Sequence, residues 1–481
     1  MPVSITTGIT FFNELGVDET LMKRGLEAAL SMGADEADLF FEYRSSQQLG
    51  LLDGAVDRAY SGVSLGVGIR AIKDGKTGYA YTEVLDVDAV RKAARTAASV
   101  ADLNNRLRPE AIRLANHPDF YPIKHPWSES GIENKLPLLR RINERAFSDS
   151  AEIEKVSASL AHSESHVLHV HSNGFLSYDY RPMGRVSVQC TAVRNGQRET
   201  NSYSRSARTG FELFDPSDLD IITSKAVERT LFLFDAQPAP AGQFPLVLAS
   251  GASGILLHEA IGHGMEADFN RKGVSIYADK LNQRIASDEV TIVDDGTVPN
   301  TRGALNHDDE GVSGQRTVLV ENGILRTYMH DRISAQIMSV QPTGNGRRQS
   351  FRHPPLPRMR ATYMTAGKRE PEEIIDSVKH GIYASSFTNG SVMIGAGDFS
   401  FYIKTGYLIE NGKLTRPIKD TNIIGNGPEV LRMTDMVAND FRMDDGNWVC
   451  GKDGQSVPVS IGMPTCRVES ITVGGVNEKS Q

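Results

Sequence analysis

The stretch Ser250-Gly-Ala-Ser-Gly-Ile-Leu-Leu-His-Glu-Ala-Ile-Gly-His-Gly264 decides how this chain is read. An apolar run, Phe244 to Ala249, precedes it and reads as a buried strand. The glycine- and serine-rich turn at 250–254 then opens a helix carrying His258-Glu259-x-x-x-His263. Two histidines on one helix can hold a metal ion, and a glutamate beside the first can act as general base toward a metal-bound water. The spacing is one residue longer than the familiar i, i+4 pair. On a regular helix, side chains five apart point about 140° away from each other, too far to share an ion. A single wide turn closed by an i→i+5 hydrogen bond would bring them together. Gly262 is the residue expected to tolerate that distortion. Ile255, Leu256, Leu257 and Ile261 should pack the helix against a sheet. The competing reading leaves His258 and His263 unrelated, one buried and one solvated, and the pattern by itself does not choose between the two.

N-terminal to this stretch the chain divides at composition shifts. The expected units are residues 1–102, 125–237 and 243–476, with Pro238-Ala-Pro-Ala-Gly242 as a stiff connector before the third. In the first unit, helical spacing covers Val17 to Met32 and Asp86 to Ala98. Strands are expected at Ala37–Arg44 and Gln48–Asp53. A hairpin over Val63–Thr82 turns at Lys73-Asp-Gly-Lys76. In the second unit, short strands at 153–162, 166–172, 175–180, 184–194 and 199–209 suggest an antiparallel meander between helices at 133–147 and 216–233. Strands and helices do not alternate as βαβ units. The fold class is therefore α+β: antiparallel sheets with helices, and a C-terminal domain bearing the histidine motif.

Composition narrows the function classes. Net charge is −8, which gives no basic field for direct nucleic-acid or anionic-membrane binding. No apolar stretch is long and unbroken enough to span a bilayer, and the opening residues lack a secretory-signal pattern. Three cysteines cannot build a disulfide framework, which points to a reducing, cytoplasmic compartment.

A third metal ligand could come from anywhere in the fold. Cys450 is the candidate, in the turn Val449-Cys-Gly-Lys-Asp-Gly-Gln455 with Lys452 near enough to favour a thiolate. The commoner role of such a cysteine is a small buried hydrophobe. Cys190 and Cys466 have no comparable surroundings. Arg347 and Arg348, in Thr343-Gly-Asn-Gly-Arg-Arg348, could clamp a substrate carboxylate or backbone, or belong to a solvated loop. The basic stretch from Arg347 to Arg360 reads as a partner or peptide surface. Asp294-Asp-Gly296 and Asp308-Asp-Glu-Gly311 read first as turns, with a hard cation or the orientation of a ligand as the alternative. His169 and His171 share a strand face but lack a third ligand.

Taken together, these motifs resemble the TldD/PmbA family of zinc metalloproteases. The resemblance rests on His258-Glu-Ala-Ile-Gly-His-Gly264, Glu266-Ala-Asp-Phe-Asn270, Val293-Asp-Asp-Gly-Thr297, Asp308-Asp-Glu-Gly311, Pro342-Thr-Gly-Asn-Gly-Arg-Arg348 and Val449-Cys-Gly-Lys-Asp-Gly-Gln455, in order along nearly the whole chain. It implies Zn2+ held by His258, His263 and Cys450, with Glu259 catalytic; it is this resemblance that singles out Cys450. It also implies cleavage of short or unfolded polypeptides by water activated at zinc and Glu259, together with a TldE/PmbA-like subunit in a heterodimer. The alternatives are a non-enzymatic zinc-containing regulator and a DNA gyrase modulator.

Overall fold

A computed structural model describes residues 5–101 and 107–474 of the chain. The expected unit edges at 1–4, 102 and 475–476 lie outside the described residues. The architecture is α+β with mainly antiparallel sheets, as the sequence pattern predicts.

The first sheet runs in the order Lys76–Thr82, Ala55–Lys73, Glu36–Leu52, Ile153–His171, Phe175–Arg194, with Gln197–Ala207 and Arg113–Leu114 also paired to the last of these. Pairing of Glu36–Leu52 with Ile153–His171 therefore joins the strands of residues 36–82 and 153–207 in one sheet. The hairpin turns where expected: Lys73 pairs with Lys76, and Asp74 and Gly75 take the positive φ that a tight two-residue turn requires.

The strands are longer than the sequence pattern suggests. Glu36–Leu52, Ile153–His171 and Phe175–Arg194 each run through the polar residues that were read as breaks. At Ser163 and Ser165 the polar side chains are buried in an interface rather than ending a strand, whereas Gln47 continues its strand while exposed. Leu39, Phe41, Val67, Ile69, Leu168 and Val170 face the helices Glu19–Ala29 and Val87–Ala98. Their alternates Asp38, Phe40, Glu42, Arg70, Val167 and His169 face the C-terminal unit and are also buried. Further along the same strands, Leu49, Leu51, Ala158, Leu160, Val186 and Val188 pack under the helices Ile132–Asp149 and Pro216–Asp235. Pro182 is tolerated because, among the described residues, no strand pairs with its outer side between Leu176 and Gly184.

In the C-terminal unit, the strands Lys413–Asn426, Asp398–Glu410, His380–Val392, Gly242–Leu248 and Cys466–Gly474 pair in sequence. The first and last also pair with each other, closing the sheet on itself. A second sheet, built around Ile292–Asp295, Ala361–Met364 and Ser460–Met463, lies beside it. Buried ion pairs fasten this unit to the first sheet. Arg70 bridges Asp38 at 2.6 Å and Glu310 at 2.5 Å, and Arg181 bridges Asp179 at 2.7 Å and Asp309 at 2.5 Å. The Asp308–Gly311 motif is thus a turn whose carboxylates tie the two units together. Asp308 accepts from the Glu310 and Val312 amides, and Glu310 from the Arg332 amide. Asp294 likewise satisfies the Arg360 amide, Thr362 and Asn345.

Candidate metal centre

The strand Gly242–Leu248 lies between two others in the closed sheet and delivers the chain to the 250–254 turn. A helical segment from Ala252 to Met265 follows, in which Ile255, Leu256, Leu257, Ala260, Ile261 and Met265 are all fully buried. Apolar on every side, it is a core helix. Its first turn touches strand Ser460–Met463 so closely that a β-carbon on Gly254 would stand 2.7 Å from the Gly462 nitrogen.

From His258 to Gly262 the helix widens, and the His263 amide donates to the His258 carbonyl, five residues back. The two imidazoles come to 5.1 Å between ring centroids. The wide turn that the i, i+5 spacing requires is present. The reason for Gly262, however, differs from the expected one. Its backbone is ordinary right-handed helix, φ −55° and ψ −52°. Glycine is needed for space, because a β-carbon would stand 2.0 Å from Met359 Sδ.

Cys450 arrives from the hairpin Val449–Lys452 and Gln455–Pro458, where it pairs with Val457. Strand alternation turns Cys450 and Lys452 inward, while Val449 is 52% exposed on the other face. Cys450 Sγ lies 3.6 Å from His263 Nε2, and one ligand atom each from His258, His263 and Cys450 fall within 4.8 Å of one another. Among the described residues this is the cluster of possible metal ligands. The residues fit a tetrahedral ion, whose N and S ligands stand roughly 3.3–3.8 Å apart. His258 Nδ1 is moreover a buried polar atom with no hydrogen-bond partner among the described residues. Burial pushes the Cys450 thiol up, but His258 and His263 pull it further down, well below its ordinary 9.0. The thiolate is the form that binds metal. Burial likewise opposes protonation of His263, yet Glu266 and Cys450 outweigh it and hold the imidazole well above 6.5. The pocket is thus built to keep a positive charge beside the sulfur.

Behind the ligands sit Glu266 and Asp268, whose supporting role sequence reasoning missed. Glu266 Oε2 accepts from His263 Nδ1 at 3.1 Å, leaving Nε2 toward Cys450. A carboxylate in that position orients a ligating histidine and fixes its tautomer. Lys452 Nζ donates to Glu266 Oε2 at 3.1 Å and Asp268 Oδ1 at 2.7 Å. It therefore serves the supporting carboxylates rather than the thiolate, which corrects the role expected for it. Burial pushes Glu266 up, but Lys452 and His263 overcome it and bring the carboxyl down to about 2. The signal was present in Glu266-Ala-Asp268, where two acids closely follow the second histidine.

The remaining expected positions fall as follows. Glu259, next to His258 on the wide turn, is half-buried, and its carboxylate makes no hydrogen bond or ion pair among the described residues. Arg347 and Arg348 lie together in the interface with the first sheet, both buried. Arg347 donates to the Met359 and Pro458 carbonyls. Arg348 donates to the Asp309 carbonyl and stacks over Phe40 at 4.3 Å. The 347–360 stretch, expected as a surface, is mostly interior: Arg358 and Arg360 are also fully buried, and only Arg352 reaches out, to Glu83. Their forked donors satisfy backbone carbonyls that the irregular loops leave open. His169 and His171 pair separately with Asp38 and Glu36. Cys190 and Cys466 are core residues whose thiols burial pushes up to about 12.

The chain belongs to the PmbA/TldD metallopeptidase family. Models of that family's three parts match in order: PmbA/TldA metallopeptidase domain 1 over 37–101, the central domain over 125–232 and the C-terminal domain over 241–475. Among curated relatives, the metalloprotease TldD homolog of Buchnera aphidicola (subsp. Schizaphis graminum) is 40% identical over 94% of this chain and 95% of its own. That of Haemophilus influenzae is 41% identical over 92% and 93%. The zinc metalloprotease TldD homolog of Saccharolobus solfataricus is 29% identical over 94% of this chain and all of its own. Two solved structures share the fold. A Thermotoga maritima protein described as a candidate modulator of a DNA gyrase has a TM-score of 0.78 at 22% identity, over 95% of this chain and 100% of that one. TldE from Thermococcus kodakarensis has 0.73 at 19%, over 95% and 99%. No helix among the described residues is long and apolar enough to cross a membrane.

Proposed function

We propose that the chain is the zinc-bearing, hydrolytic subunit of a peptidase that cleaves short or unfolded polypeptides. The observation that carries this reading is the meeting of His258, His263 and Cys450, with ligand atoms within 4.8 Å of one another and Glu259 on the adjoining residue. Two imidazoles and a thiolate suit zinc, and three protein donors beside a carboxylate match a catalytic site better than a closed structural one. Bound there, zinc would supply Lewis acidity, polarising a peptide carbonyl and acidifying a water molecule. Glu259 takes the proton from the attacking water at a carboxylate oxygen and returns it to the departing amine nitrogen. Its half-buried carboxylate, free of other partners among the described residues, supports that role. Glu266, itself held by Lys452, keeps the His263 ring turned toward Cys450.

We further propose a TldE/PmbA-like companion subunit in a heterodimer, a reading supported by family membership and by the likeness to TldE. The cytoplasmic location is supported by three buried, unpaired cysteines. The working division remains 1–102, 125–237 and 243–476, the first two contributing to one sheet.

The test is to purify the chain with and without a TldE/PmbA-like partner, measure bound zinc and follow degradation of unstructured peptides. Glu259→Gln should keep its zinc and lose cleavage by roughly 10²–10⁴-fold. Wild-type cleavage rates in metal-replete Glu259→Gln protein would refute the assignment.

A further inference from the structure

A cavity of about 250 Å³ opens between the first sheet and the C-terminal unit. Six arginines line it, Arg44, Arg181, Arg208, Arg302, Arg347 and Arg348, against only two carboxylates, Glu42 and Asp309. In a chain of net charge −8 this is a concentrated reversal of sign.

The two kinds of arginine here differ. Arg181 bridges Asp179 and Asp309, and Arg348 reaches Asp38 at 3.5 Å, so each has a carboxylate. Arg208, Arg302 and Arg347 have none among the described residues. Arg208 Nε donates to the Arg302 carbonyl, Arg302 Nη1 to the Gly446 carbonyl, and Arg347 to the Met359 and Pro458 carbonyls. These three side chains are at most 8% exposed, and Arg302 Nε is buried with no hydrogen-bond partner among the described residues. A buried cation without a counterion is costly, and proteins rarely keep three together. Burial, reinforced by the like charges nearby, pulls Arg347 down to about 9 and Arg208 and Arg302 to about 10. Arginine nonetheless stays protonated, so the cost remains in the fold until an anion arrives. Arg44 stands exposed at the mouth, and the Ser163 and Ser165 hydroxyls add donors along the wall.

The cavity also borders the metal centre's own scaffold. Val449, Ser456 and Pro458 of the 449–458 hairpin line it, while Cys450 points from the opposite face toward His263. A single hairpin thus forms a wall of the arginine cavity on one side and supplies a metal ligand on the other.

We propose that this cavity grips a carboxylate of the polypeptide substrate, from an acidic side chain or from the C-terminus, and so gives the enzyme a preference for acidic peptides. Arginine forks match the planar carboxylate, and the uncompensated positive charge supplies the attraction. The proposal rests on the peptide-hydrolase reading for the identity of the ligand. Its test is calorimetric titration of zinc-loaded Glu259→Gln protein with one unstructured peptide in four forms: free acid or C-terminal amide, each with Glu or Gln at the acidic position. Loss of the gripped carboxylate should weaken binding at least tenfold, and the arm that does so tells a side chain from a C-terminus. Arg208→Met and Arg302→Met should each erase whichever of these two discriminations the parent shows, while unfolding at or above the parent's denaturant midpoint, since each removes a buried cation without a counterion. Equal binding of all four forms by the unsubstituted arginine cavity would overturn the proposal, whether or not the variants fold. So would inorganic phosphate binding there with no discrimination among the peptides. If peptides are cleaved but bind without regard to carboxylates, the hydrolase reading stands and this one falls. If arginine-dependent carboxylate binding is seen but the zinc-loaded wild type cleaves nothing, the reverse holds.

Discussion

Replacing Gly262 by alanine probes the metal centre at its tightest point. The new methyl would lie 2.0 Å from Met359 Sδ and 2.9 Å from its terminal carbon. Met359 is fully buried, so its thioether cannot swing into solvent. Overpacking of this kind costs about 1–3 kcal/mol. Against it, alanine in a helical backbone gains up to about 1 kcal/mol over glycine, and the observed φ and ψ impose no strain on it. Gly262→Ala should therefore be destabilised by about 0–2 kcal/mol. Its zinc affinity should fall more clearly, because the displaced turn carries both His258 and His263. Met359→Ala alone leaves a cavity costing about 2–5 kcal/mol. In the double variant the two changes offset, so it should be more stable than additivity predicts by about 1–3 kcal/mol and should recover zinc affinity. Urea unfolding of the metal-free proteins and competition with a chelator measure the two quantities. Strict additivity, or a Gly262→Ala protein with wild-type stability and affinity, would refute the argument that Met359 dictates this glycine.

Glu266→Gln leaves a hydrogen-bonding group beside His263 but removes the charge that orients it and balances Lys452. Zinc affinity should drop by about 10–100-fold, read by chelator competition, and an unchanged affinity would deny Glu266 its supporting role. Asp331 caps the helix Arg332–Ile337 through the Ser334 amide, and burial together with the Glu310 charge raises its carboxyl to about 6. A raised acid binds its proton more tightly when folded, so stability falls as pH climbs from the unfolded value near 4 through the folded one. Asp331→Asn keeps the cap and removes the titration. Relative to wild type it should gain stability as pH rises from 4 to 8 in urea titrations, and a constant difference across that range would contradict this reading.

Much of the site was legible because its chemistry is local. For His258 and His263 to share an ion, their i, i+5 spacing required a wide turn, since no regular helix lets two rings five residues apart meet. The Asp74-Gly75 turn was legible for the same reason: only a few residues adopt its dihedrals without cost. The long strands were misread at Ser163–Ser165 and Arg181-Pro182 because polarity usually marks an end, whereas here those side chains line a buried polar interface. Gly262 was identified as important for the wrong cause, because the atom that excludes a side chain is 97 residues away.

Local pattern alone thus determined the main helices, the tight turns and the α+β character, and named His258 and His263 as a possible pair, all through interactions within a few residues. Tertiary structure alone decided that Cys450 Sγ comes within 3.6 Å of His263, that Lys452 serves Glu266 and Asp268 rather than the sulfur, and that arginines from five separate stretches of chain surround one cavity. Those outcomes depend on the closure of a sheet and the docking of two units, which bring together groups hundreds of residues apart. No periodicity or spacing rule records such distances, because the energy that fixes them is shared among many buried contacts rather than held by neighbours in sequence.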